Sequence, residues 1–246
     1  MKIIYIFIIF MISCSNFQEQ EEILDYKEYI NQAWNAFETV NLDELIQDST
    51  NTYYYQLSLD LFNASIQAID YEFTNQNLEG PFYESYNGIG WTQLYYASEF
   101  LDPSIHHVRD SLREQSKIYF NLADQNLNLH SSLSRPIDSQ DKMDIYLGLA
   151  YTYYYLGLQN SDYSSDSLSL DYSDKLLSIN SSYNFYHDEI DYRNIHYLKG
   201  KIYLKREDYN QACQEMIEIN GCDCFIDSDV NLDILFDCFN EFANGI

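Results

Sequence analysis

The chain has 246 residues, 46% of them hydrophobic, which is enough to form one large folded domain or two small ones. Its formal net charge of −26 repels phosphate backbones and anionic lipid headgroups, so nucleic-acid binding is excluded as its main activity. With only three Pro, eight Gly and five Cys, the chain is neither collagen-like nor densely cross-linked by disulfides. The 25 Tyr and 14 Phe residues predict a fold that packs many aromatic rings.

The N-terminus combines Lys2, an apolar run from Ile3 to Ile12, and the pair Ser13-Cys14. The run has the length of a signal-peptide core and is too short to cross a bilayer. This arrangement resembles a bacterial lipoprotein signal. The resemblance implies that residues 1–13 are removed, that Cys14 carries a lipid, and that residues 14–22 form a polar tether to the membrane. A plain signal peptide or a buried N-terminal strand is the alternative.

The lipoprotein resemblance also implies a location. We expect a lipid-anchored protein of the bacterial cell envelope, at the outer membrane, facing either the periplasm or the cell surface. Such a compartment is oxidising, so disulfides can persist there.

From Ile23 onwards the apolar residues recur at helical spacing, and Pro and Gly are scarce inside the periodic runs. This pattern predicts helices at residues 23–39, 55–70, 82–98, 109–128, 141–157, 164–179, 190–205, 208–220 and 229–243. No segment shows the sustained alternation of a β-strand. The sequence therefore predicts one all-α domain over residues 23–246.

The predicted helices form pairs with recurring positions. In the first helices a small residue precedes a large one, at Ala33-Trp34, Gly90-Trp91, Ala150-Tyr151 and Gly200-Lys201. The second helices carry a triplet spaced by four and then three residues: Ser58, Phe62, Ser65; Ser116, Phe120, Ala123; Ser169, Ser173, Leu176; and Ala212, Met216, Ile219. A small residue lets its partner helix approach closely, and each triplet forms a seam along one helix face. A pair with one such seam must stack on its neighbours.

These columns resemble the tetratricopeptide repeat family, whose helix-turn-helix units of about 34 residues stack into a right-handed superhelix. The match is clearest in the fourth unit, at Gly200, Tyr203, Tyr209 and Ala212. The resemblance implies about four helix pairs and a C-terminal capping helix at residues 231–243. The columns lie 57, 60 and 50 residues apart. This spacing predicts longer links between pairs and longer turns inside the first three pairs, at residues 41–54, 99–109 and 157–164. An irregular α-bundle is the alternative.

In this family the first helices line a concave groove. Carried onto the matching positions, the groove comprises Trp34, Glu38, Asn87, Trp91, Tyr95, Tyr151, Tyr155, Tyr197, Lys201 and Lys205. Aromatic rings on a rigid wall offer a large contact area at a small entropic cost. The resemblance therefore implies a non-enzymatic protein that binds a peptide or protein segment, with no cofactor. Asp and Glu are spread along the chain without a calcium-loop spacing, so no metal is predicted. Capture of a glycan or another ligand by the Tyr-rich wall is the alternative.

Four cysteines lie close together in the sequence of the last repeat and the predicted capping helix. In an oxidising compartment, Cys213, Cys222, Cys224 and Cys238 are predicted to form two disulfides. The pairing is either 213–222 with 224–238, or 213–224 with 222–238. Free thiols and a zinc site are the alternatives, although the Cys-x-Cys spacing is tighter than that of usual zinc ligands.

The densest polar cluster is residues 187–191. Either Asp188 or Asp191 is predicted to cap the helix that begins near Ile190, since a carboxylate can accept from its free backbone N–H groups. A hydrolase site built around His187 and Asp191 is the rival interpretation. No Gly-rich phosphate loop, nucleophile elbow or His-Glu-x-x-His motif supports catalysis. The acidity is interpreted as a solvated surface, with a cationic partner as the alternative.

Overall fold

The computed structural model of the chain describes residues 25–42, 49–74, 80–100, 103–132, 139–160, 163–187, 189–226 and 229–244. The predicted signal, Cys14 and the tether lie outside these residues. The described α-helices are α1 (Tyr26–Leu42), α2 (Ser49–Thr74), α3 (Tyr83–Tyr96), α4 (His106–Ser132), α5 (Ser139–Asn160), α6 (Tyr163–Ile179), α7 (Tyr192–Lys205), α8 (Tyr209–Asn220) and α9 (Leu232–Asn244). Each predicted helix overlaps one of them, so the all-α prediction is confirmed for the described part of the chain.

The remaining regular elements are short. Two 3₁₀ turns, Ala97–Glu99 and Pro103–Ile105, join α3 to α4. A two-residue antiparallel ladder of β1 (Phe225–Ile226) and β2 (Asp229–Val230) joins α8 to α9. None of the helices described is both long and apolar enough to cross a membrane.

Several helices are longer than the periodicity predicted. Helix α2 begins at Ser49 instead of Tyr55, and α4 begins at His106 instead of Arg109. The added residues are mostly polar, and only Tyr53, Tyr54 and Val108 among them are apolar or aromatic, so the apolar periodicity does not extend over these turns. The extra length of these units over the family period therefore lies largely in the helices, and the turns inside the pairs are shorter than predicted.

The helices pack as consecutive pairs in two layers. Each first helix (α1, α3, α5, α7) packs along the helix that follows it, and successive first helices also contact one another. Helices α2, α4 and α6 each contact the first helix of the next pair, and α9 packs on α8. The first helices therefore share one surface, which we call the first-helix face.

The predicted seams are buried. All twelve triplet residues are at most 7% exposed, and the four small residues Ala33, Gly90, Ala150 and Gly200 are buried. One hydrogen bond recurs between pairs: Ser58 Oγ lies 3.0 Å from Thr92 Oγ1, and Ser116 Oγ lies 3.1 Å from Thr152 Oγ1. The same contact thus joins the second helix of one pair to the first helix of the next.

Aromatic contacts recur in the same way. The ring of Trp34 meets the ring of Phe62 edge-on at 5.1 Å, and the ring of Trp91 meets that of Phe120 edge-on at 5.5 Å. A Cβ atom added at Gly148 of α5 would overlap the ring of Phe120. The absence of a side chain at Gly148 is therefore what lets α4 and α5 approach so closely.

The C-terminal part is cross-linked. Cys213 is bonded to Cys224 and Cys222 to Cys238, with Cα–Cα distances of 5.8 and 6.2 Å, which is the second of the two predicted pairings. Phe239 of α9 is buried in the cluster that these bonds enclose. Helix α9 thus covers apolar surface of the last pair, as the capping prediction required.

Candidate functional site

The connection between α6 and α7 folds back on itself as a hairpin. The backbone N–H of Phe185 donates to the carbonyl of Ile190 at 2.8 Å, and that of Tyr192 donates to the carbonyl of Tyr183 at 2.9 Å. We call residues 183–187 and 189–191 the covering hairpin, because it lies across the first-helix face.

Two buried rings fix the covering hairpin in place. Tyr183 and Phe185 are 0% and 1% exposed. The Tyr183 hydroxyl donates to Asp144 of α5, and burial together with that carboxylate raises the pKa of Tyr183. The ring of Phe185 stacks on Trp91 of α3, with the ring centroids 4.6 Å apart. The hairpin thus occupies the middle of the first-helix face.

The tip of the hairpin reaches α1. The His187 ring stacks on Trp34, with centroids 3.8 Å apart, and its Nδ1 lies 2.6 Å from Glu38 Oε1, so the ring N–H donates to the carboxylate. Burial lowers the pKa of His187, although Glu38 opposes the shift. Trp34 and Glu38, predicted to line an open groove, are instead in contact with the chain's own hairpin.

The predicted groove residues of α3 are covered as well. Asn87 is 5% exposed and Trp91 is 1% exposed. Asn87 Oδ1 and Trp91 Nε1 are buried and have no hydrogen-bond partner within the described part of the chain. Trp91 therefore carries an N–H donor that none of the residues described here accepts.

Beside the hairpin the first-helix face opens into a cavity of about 350 Å³. This cavity, which we call the open pocket, is lined by Trp91, Leu94, Tyr95, Ser98, Arg113, Tyr151, Tyr155 and Ile190. Four of the predicted groove residues meet here, from α3 and α5. Ile190 of the covering hairpin forms part of the wall, which ties the shape of the pocket to the position of the hairpin.

Arg113 supplies the positive charge of the open pocket. Its guanidinium lies 4.6 Å from the ring centroid of Tyr155, and its Nε atom is buried without a hydrogen-bond partner among the described residues. Burial lowers the pKa of Arg113, and the charge of the neighbouring Arg109 lowers it further, while Tyr155 and Asp110 oppose the shift. Arg109 itself is paired, with its Nε 3.6 Å from Asp110 Oδ1. None of the described residues that line the pocket is acidic.

The tyrosines of the pocket are neutral donors. Burial raises the pKa of both Tyr151 and Tyr155, so their hydroxyl groups keep their protons at ordinary pH. Together with the guanidinium of Arg113, they make the polar part of the pocket a set of hydrogen-bond donors. The rest of the wall is apolar.

The predicted groove residues of α7 lie elsewhere. Tyr197 packs on Phe242 of α9 at 4.8 Å, and Lys201 is exposed with its Nζ 5.2 Å from the Tyr197 ring. Lys205 Nζ donates to a carbonyl at the end of α5 and lies 2.9 Å from the buried Asp166 Oδ2. Lys205 therefore joins α7 to α5 and α6, and none of the three lines the open pocket.

The residues of the catalytic alternative are held in separate contacts. Asp191 is the N-cap of α7: its carboxylate accepts from the Arg193 N–H at 2.8 Å, and the Asn194 side chain accepts from the Asp191 N–H at 3.0 Å. This confirms the capping prediction for Asp191. His187 contacts Glu38 instead. Within the described residues, no three His, Cys, Asp or Glu side chains are grouped as metal ligands would be.

Sequence reasoning missed Arg113 and the covering hairpin. The sequence signal for the hairpin is short: Tyr183 and Phe185 alternate with the polar Asn184, and in the structure these two aromatic residues are buried while residues 184 and 186 are exposed. No known protein family, curated protein or solved structure matches the chain. The open pocket and the hairpin beside it are therefore the features that indicate a function.

A second charged feature lies at the other end of the same helices. Glu84 and Asp141 occupy the first turns of α3 and α5. Burial, and then the negative charge of Asp141, raise the pKa of Glu84 from the ordinary 4.5 to about 7, while Lys27 opposes the shift. At pH values between about 5 and 7, the folded chain therefore holds a proton on Glu84 that the unfolded chain releases.

This carboxyl group makes stability depend on pH. As the pH rises from about 5 to about 7, the unfolded chain loses the proton of Glu84 while the folded chain keeps it. Folding must therefore take up a proton, and about 1–3 kcal/mol of stability is lost. The variant Glu84→Gln should therefore be more stable than the wild type by about that amount at pH 8, and should show no such gain at pH 5. Urea unfolding at both pH values measures the difference. Glu72→Gln, at an exposed site on α2, is the control; parallel behaviour of the two variants would contradict the prediction.

Proposed function

We propose that the chain is a non-catalytic binding protein that captures a compact ligand in the open pocket. The observation that carries this proposal is that the covering hairpin occupies the middle of the first-helix face and leaves a pocket of about 350 Å³ beside it. Ligand sites of small molecules span roughly 300–1,000 Å³, with mostly apolar walls and a few directed polar groups. The open pocket has this size and composition.

An extended peptide fits the same surface less well. The wall expected for a peptide includes Trp34, Glu38 and Trp91, and the covering hairpin contacts all three. A partner segment would have to displace Tyr183 and Phe185 from fully buried positions. The geometry therefore favours ligand capture over the binding of a protein segment that the repeat resemblance implies.

A sugar is also a poorer fit. Sugars bind proteins through the flat faces of aromatic rings, and Trp91 has Phe185 stacked on its ring and the ring of Phe120 packed edge-on against it. Tyr155 carries the guanidinium of Arg113 over its ring. The pocket thus offers an enclosed apolar space and leaves few ring faces for stacking.

The N-terminal sequence supports a tethered form of this binding protein. With a lipid on Cys14 and the polar segment 14–22 as a spacer, a tetratricopeptide-like domain would be held at a bacterial membrane, which we propose to be the outer membrane. The two disulfides at the C-terminus support an oxidising compartment.

Filling the pocket should abolish ligand capture. In the variant Ser98→Phe the new ring should occupy the open pocket, because Ser98 lines it and is itself exposed. We expect a small-molecule adduct on the wild-type protein isolated from its native cells, and at least about tenfold lower occupancy in the variant. Native mass spectrometry measures the adduct.

Ser178→Phe is the matched control. Like Ser98, Ser178 is exposed and its hydroxyl donates to the carbonyl three residues earlier at 2.6 Å, but it lies on α6 and does not line the pocket. The control should keep the adduct. If the wild type carries no adduct, or if both variants lose it equally, ligand capture in this pocket is refuted.

A further inference from the structure

We propose that the open pocket is specific for an apolar monocarboxylate, whose carboxylate binds Arg113 and whose apolar ring or chain lies among the aromatic side chains. This inference rests on the proposed function and names the class of ligand. Three observations carry it: the surplus of donors in the pocket, the lack of an ion pair between Arg113 and any described residue, and the size of the cavity.

The polar groups that line the pocket include several donors that the fold leaves unused. Arg113 and Trp91 each bring buried N–H groups that have no hydrogen-bond partner in the described part of the chain. Tyr151 and Tyr155 bring protonated hydroxyl groups. The Ser98 hydroxyl, by contrast, already donates to the carbonyl of Tyr95. A ligand that satisfies these donors has to be an acceptor.

Helix α4 carries three Lys and Arg residues, and they differ in their pairing. On the same helix Lys117 is paired with Glu114, and Arg109 with Asp110, whereas Arg113 has no ion pair with any described residue. The chain contains 39 Asp and Glu, so carboxylates are not scarce. A guanidinium partly removed from water without a counterion is costly, and a bound carboxylate would remove that cost through two parallel N–H···O bonds.

Charge and size limit the ligand further. One guanidinium in a chain of net charge −26 balances a single negative charge better than the double charge of a phosphate. A cavity of about 350 Å³ is at the lower end of the range for small-molecule sites. It has room for one ring or short chain with its acid group.

Two indole signals provide a site-specific readout. The chain has only two Trp, at 34 and 91, so a ¹⁵N spectrum has two indole N–H signals, and only Trp91 lines the pocket. Titration with 3-phenylpropanoate should shift the Trp91 signal and leave that of Trp34 unchanged. The neutral 3-phenylpropanamide should bind at least about tenfold more weakly, since it cannot form the charge-assisted pair. Acetate and phenyl phosphate should also bind more weakly.

Variants of α4 test the role of Arg113. Arg113→Gln should weaken the binding of 3-phenylpropanoate about tenfold and leave that of 3-phenylpropanamide unchanged. Lys117→Gln, which removes a paired cation from the same helix, should change neither. Thermal unfolding of each variant, monitored by circular dichroism, checks that the fold is retained.

The outcomes separate this inference from the proposed function. If the amide or phenyl phosphate binds as tightly as the acid, the monocarboxylate inference is wrong, and capture in the pocket still stands on the Ser98→Phe result. Equal loss of binding of the acid and the amide in Arg113→Gln would also overturn it.

A pentapeptide ending in phenylalanine carries the same ring and carboxylate. Tighter binding of the peptide would assign the carboxylate to a chain end, and tighter binding of the acid would assign it to a free metabolite.

Discussion

Replacing Phe120 by alanine should lower the free energy of unfolding by about 3–5 kcal/mol. The Phe120 side chain is fully buried on α4 and meets Trp91 of α3 edge-on. Its ring also lies against Gly90 and Gly148, where an added Cβ atom would come within 3 Å of it. Because glycines have no side chain that could move into the space, the cavity should stay open, which places the cost toward the upper end of the range.

A double-mutant cycle shows whether the close approach at Gly148 is the cause. Alone, Gly148→Ala should destabilise the protein by about 1–3 kcal/mol, since its Cβ overlaps the Phe120 ring. In the Phe120→Ala background the same change should instead stabilise it by about 1 kcal/mol, because the ring is gone and alanine favours the helix. Denaturant unfolding measures all four proteins. Additive effects of the two substitutions would contradict this packing. Phe236→Ala is the control for the loss of a phenylalanine ring: it lies at a half-exposed site on α9 and should lower the free energy of unfolding by less than about 1 kcal/mol.

The helix pairs were predictable because they depend on local periodicity. Residues at i, i+4 and i+7 share a helix face whatever else the chain does, so Ser58, Phe62 and Ser65 could be assigned to a buried seam from spacing alone. The helix ends were less predictable, since the first turn of α2 is polar and carries no apolar mark. The overall curvature of the stacked pairs is not fixed by such local rules.

The pocket depends on contacts that no local rule contains. Trp34 and Trp91 could be placed on the first helices, but their burial results from Phe185 and His187, which are about 95 to 150 residues away in sequence. Likewise Arg113 belongs to a helix rich in polar residues, and its lack of a counterion is visible only once the neighbouring helices are in place. Periodicity identifies a face, whereas the tertiary fold decides what covers it.

Replacing Phe185 by alanine should lower the free energy of unfolding by about 3–4 kcal/mol and expose Trp91 to solvent. The Phe185 ring is 1% exposed and contacts both Trp91 and Trp34, so its loss removes the main apolar anchor of the covering hairpin. The hydrogen bond of Tyr183 to Asp144 and that of His187 to Glu38 would remain. Denaturant unfolding measures the stability, and acrylamide quenching of tryptophan fluorescence measures the exposure.

The neighbouring Tyr186 is a stringent control, because it belongs to the same hairpin but is 75% exposed. Tyr186→Ala should change stability by less than about 0.5 kcal/mol and leave the quenching unchanged. If Phe185→Ala behaves like this control, the hairpin does not close the first-helix face. If it instead exposes Trp91 with little loss of global stability, the hairpin opens as a local unit. In that case Ile190 should move with it, and the binding of 3-phenylpropanoate in the open pocket should weaken, since part of the pocket wall would be lost.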